Sequence, residues 1–170
     1  WRKRLPWLGV NLVTATLAAL VVQRFQATVE EVVALAAFMT VVASMGGNAA
    51  TQTLTVIVRG IALGELTWSN TSRALGKEAL VGLGNGLVLG SAGALIAWVI
   101  VGNPYFGLIL ALAMLINLLV AAVAATLIPI ALRAINVDPA LASSVFITTL
   151  TDVFGFFAFL GLATFFLQYL

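Results

Sequence analysis

Cysteine and histidine are both missing from the 170 residues of this chain. Their absence excludes disulfides, thiolate catalysis, histidine proton relays, and zinc or copper sites of the usual ligand types. Any metal held here must be a hard cation taken by oxygen ligands, directly or through its water. Charge is scarce as well: 8% of the residues are charged, whereas soluble domains carry about 25%. No nucleophile–base pair can be assembled from so few groups, so an enzyme is not expected. A formal net charge of +2 gives no ground for a nucleic-acid partner. What fills the chain instead is apolar, with 62% hydrophobic residues and a mean hydropathy of +1.15. The solvent for such a chain is lipid.

Five apolar stretches, at about 7–22, 32–58, 79–101, 106–132 and 141–167, are candidates to cross a bilayer core, which takes about 20 residues of helix. None alternates with the period of two that a lipid-facing barrel strand needs. The expected class is an all-α membrane protein with five transmembrane helices, residues 1–170 forming one transmembrane domain. The bases are unevenly placed. Arg2, Lys3, Arg4, Arg59, Arg73, Lys77 and Arg133 fall on one side of the membrane, and Arg24 alone on the other. That asymmetry predicts a cytoplasmic N-terminus and an outer C-terminus in a cell inner (plasma) membrane. Glu30 and Glu31 fall on the outer side, as a solvated helix start or as an attractor of cations. The first residue is Trp rather than Met, so a soluble region is expected to precede the chain.

The second stretch holds Met45-Gly46-Gly47-Asn48, and paired glycines there predict a bend or a short unwound turn. Ser44, Asn48 and Gln52 recur every fourth residue and share a helix face, with Thr51, Thr53 and Thr55 nearby. Such a stripe reads either as a hydrated path or as hydrogen bonding between helices. The third stretch repeats Gly82, Gly86, Gly90 and Ala94, a small-residue seam that lets two backbones approach. Asn85 beside it reads as helix glue. The fourth, with Asn117 and Pro129, is too poor in polar groups to carry a site alone. The fifth opens on Asp138-Pro139, an N-cap acid before a first-turn Pro, with a cation contact at the cytoplasmic rim as a second use for Asp138. Further on, Ser144, Thr148 and Asp152 repeat at four-residue spacing.

Asp152 is the residue around which the rest is organised. A carboxylate near mid-bilayer costs about 2.5–3.5 kcal/mol on insertion scales, and no cation lies close in sequence to pair with it. It is either used in transport or hidden against a partner. Ser44, Asn48 and Gln52 facing Ser144, Thr148 and Asp152 would frame a channel of neutral oxygens with a single negative charge. One chain can hardly enclose it; two chains about a two-fold axis could, and symmetry would double Asp152. Facing carboxylates repel unless a cation or water lies between them. A divalent cation suits that pair, and Mg²⁺ in particular keeps its waters and is held through one or two carboxylates.

Two segments carry a resemblance: MGGNAATQTLTVIVRGIALGEL, from Met45 to Leu66, and VDPALASSVFITTLTDVFG, from Val137 to Gly155. Together they resemble the membrane domain of the MgtE family of magnesium channels, and the likeness runs over all five stretches. It implies a homodimer whose central pore conducts hydrated Mg²⁺ passively into the cytoplasm. The family's fifth-helix aspartate falls on Asp152 and its pore asparagine on Asn48. The position one turn earlier falls on Ser44, and further metal contacts fall on Ser144 and Thr148. Gln52 and Thr149 are expected to line the pore beside them. Mg²⁺ is then the bound and transported ion, and a second copy and the lipid bilayer are the partners. A cytoplasmic regulatory domain or protein, which family members commonly carry, is a further expected partner. Where many members have a Pro near the start of the last helix, this chain has Ser144-Val145, which leaves a carbonyl ligand there unsupported. Two other functions compete. One is a Na⁺- or H⁺-coupled divalent cation transporter with Asp152 as its substrate site. The other is a non-conducting membrane subunit in which the polar stripes only join helices.

Overall fold

In the computed structural model, which describes residues 5–170, six α-helices follow one another. They are α1 (Leu5–Arg24), α2 (Gln26–Glu31), α3 (Ala34–Ala62), α4 (Thr71–Val101), α5 (Pro104–Ala134) and α6 (Pro139–Phe165). No strand occurs among the described residues, and all helices but α2 are long and apolar enough to cross a membrane. The all-α, five-span class therefore holds. The bases expected at Arg2, Lys3 and Arg4 lie outside the described residues.

Helix α5 is the axis of the fold, the most apolar of the spans and the most buried. Helices α3, α4 and α6 pack against it, α3 and α6 also touch each other, and α1 rests on α6. The α4 seam works through missing side chains. A methyl group on Gly82 would lie 2.9 Å from the Leu118 carbonyl oxygen, and one on Gly86 2.9 Å from Leu115 Cα. One on Gly90 would lie 3.0 Å from the Ala111 carbonyl oxygen, so the two backbones meet where only glycine fits. Near the opposite end from the basic rim, Phe106 of α5 stands between Phe38 of α3 and Phe159 of α6. Its ring is edge-on to both, with centroids 5.2 and 6.1 Å away, the arrangement that aromatic quadrupoles favour.

Local chemistry sets the helix ends. Asp138 accepts a 2.9 Å hydrogen bond from the Ala140 backbone N–H, with Pro139 at the first helical position, as its Asp-Pro sequence requires. Asn103 caps α5 in the same way through the Tyr105 N–H, and its Nδ2 donates to the Tyr169 carbonyl oxygen at 2.8 Å. Gly102 closes α4 in the left-handed conformation at φ 80°, which a side chain would oppose.

The short unwound turn expected at Gly46-Gly47 is absent, because α3 is one unbroken α-helix over Ala34–Ala62. Gly46 serves packing instead: it is pressed against Asn117 of α5, whereas Gly47 has nothing within 4 Å of where a Cβ would stand. Tertiary contact along the buried side of α3 outweighs a glycine penalty of about 1 kcal/mol per residue.

Candidate functional site

Helix α3 presents two opposed faces. Leu35, Phe38, Val42, Gly46, Ala50, Ile57 and Ile61 are buried on one. Ser44, Asn48, Thr51, Gln52 and Thr55 are exposed. At about 100° per residue, Ser44 and Asn48 each lie about 200° around the helix from Gly46, on the side turned away from α5. The hydroxyls are satisfied within the helix: Thr51 donates to the Gly47 carbonyl at 2.9 Å and Thr55 to the Thr51 carbonyl at 2.8 Å. Asn48 Nδ2 reaches Ser44 Oγ only at 3.5 Å, a bond long enough to be given up easily. The amide of Asn48 is thus open to a ligand.

Helix α6 repeats the pattern. Ser143, Ile147, Thr151, Gly155, Phe159 and Ala163 form its buried stripe, while Ser144 is exposed and Thr148, Thr149 and Asp152 are half-buried beside it. Thr148 and Thr149 donate to backbone carbonyls one turn back, at 2.9 Å to Ser144 and 2.7 Å to Val145, so their hydroxyl oxygens keep lone pairs free. No base stands against Asp152 among the described residues, since Arg24, Arg59, Arg73, Lys77 and Arg133 all sit within two turns of helix ends.

The two helices run antiparallel and share a level at Gly46 and Gly155, both of which abut Asn117. Counting from that level toward the basic rim at a rise of 1.5 Å per residue, Asn48 stands about 3 Å along and Asp152 about 4.5 Å along. Gln52 and Thr148 share the next level, at about 9 and 10.5 Å. The structure therefore brings Asn48 to the height of Asp152 and Gln52 to that of Thr148. No side-chain hydrogen bond joins the stripes among the described residues: those of Asn48, Thr148 and Thr149 all stay within their own helices. No group of three His, Cys, Asp or Glu capable of holding a metal occurs among the described residues.

Two openings flank the stripes. Ser144 and Thr148 look into a groove of about 380 Å³ closed on its other wall by Trp7 and Asn11 of α1. Trp7 also stacks edge-on against Phe146, at 6.2 Å. A second cleft, of about 310 Å³, lies between α3 and α4 and holds Gln52, Thr53, Lys77, Glu78 and Asn85. There Thr53 donates to a Glu78 carboxylate oxygen at 3.3 Å. Neither Asn11 nor Glu78 stands out in the sequence as a site residue. Asn11 is four residues after Trp7 and so on its face, a usable signal. Glu78 is one residue short of the third apolar stretch, where it passes for loop charge. Asp138 sits exposed at the basic rim, occupied by its own helix cap.

Comparison with known proteins adds to this geometry. The family model MgtE, described as divalent cation transporter, matches residues 39–162. The magnesium transporter MgtE of Bacillus subtilis (strain 168) is 33% identical over 166 residues, which cover 98% of this chain and 37% of that protein. Its counterpart in Enterococcus faecalis is 35% identical over 167 residues, with the same coverage of 98% and 37%. That of Thermus thermophilus is 30% identical over 174 residues, covering 99% and 37%. The chain thus spans 37% of the length of these curated relatives.

Proposed function

The chain belongs to the MgtE family of divalent cation transporters, and from that premise we propose that it forms the pore of a magnesium-preferring channel. Two copies meet about an axis lined by α3 and α6. Hydrated Mg²⁺ passes between them into the cytoplasm, down its electrochemical gradient. The two Asp152 carboxylates hold the ion through its waters, and Asn48 at the same height accepts from that hydration shell through its Oδ1. Ser44, Ser144 and Thr148 supply further oxygens, with Gln52 and Thr149 lining the path. Asp138 gives a weaker cation contact at the cytoplasmic rim. The basic end of the bundle faces the cytoplasm of a cell whose inner membrane holds the protein, and a cytoplasmic regulatory domain or protein acts on the pore from that side.

One observation carries this reading. The polar side of α3 is exposed, away from the protomer's own core, and stands level with Asp152. Lipid is a poor neighbour for a row of amides and hydroxyls. A second copy and water between the copies satisfy them, and the hydrated cation held there gives Asp152 a counter-ion that no base among the described residues supplies.

Asp152→Asn keeps the shape and removes the charge. Mg²⁺ uptake into proteoliposomes is expected to fall by about tenfold or more, the equivalent of about 1.4 kcal/mol of ion binding, and to lose saturation. Unchanged uptake would refute the site. The lone acid of Asp152 also suits a Na⁺- or H⁺-coupled transporter. Uptake driven by membrane potential alone favours the channel, and a strict need for a Na⁺ or proton gradient favours coupling.

A further inference from the structure

Asn117 of α5 is 1% exposed and touches both helices that carry the candidate site. Its Nδ2 donates to the Val42 carbonyl oxygen of α3 at 2.9 Å. That carbonyl already accepts the intrahelical bond from the Gly46 N–H, so the amide takes its second lone pair. The bond is reachable because Gly46 has no side chain: a methyl there would stand 2.9 Å from Asn117 Cγ. From the other side Gly155 of α6 closes on the same amide, and a methyl there would stand 2.7 Å from Nδ2 and 2.9 Å from Cγ. One planar group is therefore held between two glycines from two different helices. Its Oδ1 is buried without a hydrogen-bond partner among the described residues.

We propose that Asn117 is a positioning residue that fixes the rotation of α3 and its spacing from α6, and thereby aims Asn48 at the height of Asp152. The inference rests on the reading that those two residues hold the ion. An apolar side chain of equal volume would fill the same space and leave no orphaned oxygen, so stability alone does not account for an amide here. What the amide adds is direction. A hydrogen bond to one carbonyl of α3 pins that helix about its own axis. Asn48 follows two residues after Gly46, on the opposite side. Asp152 precedes Gly155 by three residues. A rotation of α3, or a widening of the α3–α6 distance, moves the amide of Asn48 away from the ion's water shell.

Packing and positioning separate in a variant set assayed for Mg²⁺ uptake per folded protein across a Mg²⁺ titration. Asn117→Ala is expected to raise the half-saturating Mg²⁺ concentration by about tenfold, the range seen when a supporting residue of a metal site is removed. Gly155→Ala is expected to lower thermal stability through its clash with the amide. In the double variant Gly155→Ala/Asn117→Ala the added methyl enters the space left by the amide. There stability is expected to return while the raised half-saturation persists, because nothing restores the bond to Val42. Asn117→Ser, which keeps a donor, is expected to recover part of the affinity. The double variant and the serine serve if Asn117→Ala alone fails to fold. Changes in stability or protein yield with half-saturation unmoved would overturn the inference and leave the Asp152 reading intact, provided Asp152→Asn is defective in the same assay. Undiminished uptake by Asp152→Asn would overturn both.

Discussion

Two aspartates in one helix illustrate how differently the same carboxylate can be used. Asp138 spends its oxygen on a backbone N–H at the start of α6. Asp152 lies mid-helix, half-buried and without a base beside it among the described residues. Asp138→Ala is expected to cost about 1 kcal/mol of stability, as loss of an N-cap does, whereas Asp138→Asn retains the cap. Thermal unfolding in detergent measures the difference. Equal losses for both variants would show that charge rather than capping matters there. At this scale the sequence was informative wherever a residue acts on its own helix. Asp-Pro announced a cap, and the spacing of Ser144, Thr148 and Asp152 announced a shared face. The meaning of Asn117 was hidden, because its partners Val42, Gly46 and Gly155 come from helices distant in sequence. Its single amide in an apolar span looked too slight to matter.

Among the helices, small residues decide which surfaces close and which stay open. The α4 glycines pressed against the α5 backbone leave no room for a side chain, and those facing outward do. A methyl on Gly86 would meet the Leu115 backbone at 2.9 Å, while one on Gly84 would meet nothing within 4 Å. Gly86→Ala is expected to destabilise the protein by about 1–3 kcal/mol, as overpacking does. Gly84→Ala is expected to be neutral or to add up to about 1 kcal/mol through helix propensity. Thermal unfolding of the two variants side by side reads this out, and equal behaviour would remove the seam from the account. The four-residue spacing made this seam legible in advance. Gly46-Gly47 is not legible in that way, since a glycine needed for close approach and one that loosens a helix look alike until the neighbour is known. Nor could the sequence place α1 against the first half of α6, where Trp7 and Asn11 wall a groove beside Ser144 and Thr148. An apolar helix carries no address for its neighbour.

As a whole the chain is a bundle wrapped around α5 with a row of polar residues turned outward along one side of α3. The path for the ion is proposed to be completed by a second copy, which would bring two Asp152 carboxylates to either side of a shared axis and place two Asn48 amides level with them. The most direct measurement is a density map of the reconstituted protein at high Mg²⁺. The account predicts one octahedral feature on the two-fold axis between the Asp152 side chains, about 4 Å from the carboxylate oxygens because a water layer intervenes. Asp152 directed into lipid, or clasped by protein with no aqueous opening beside it, would contradict it.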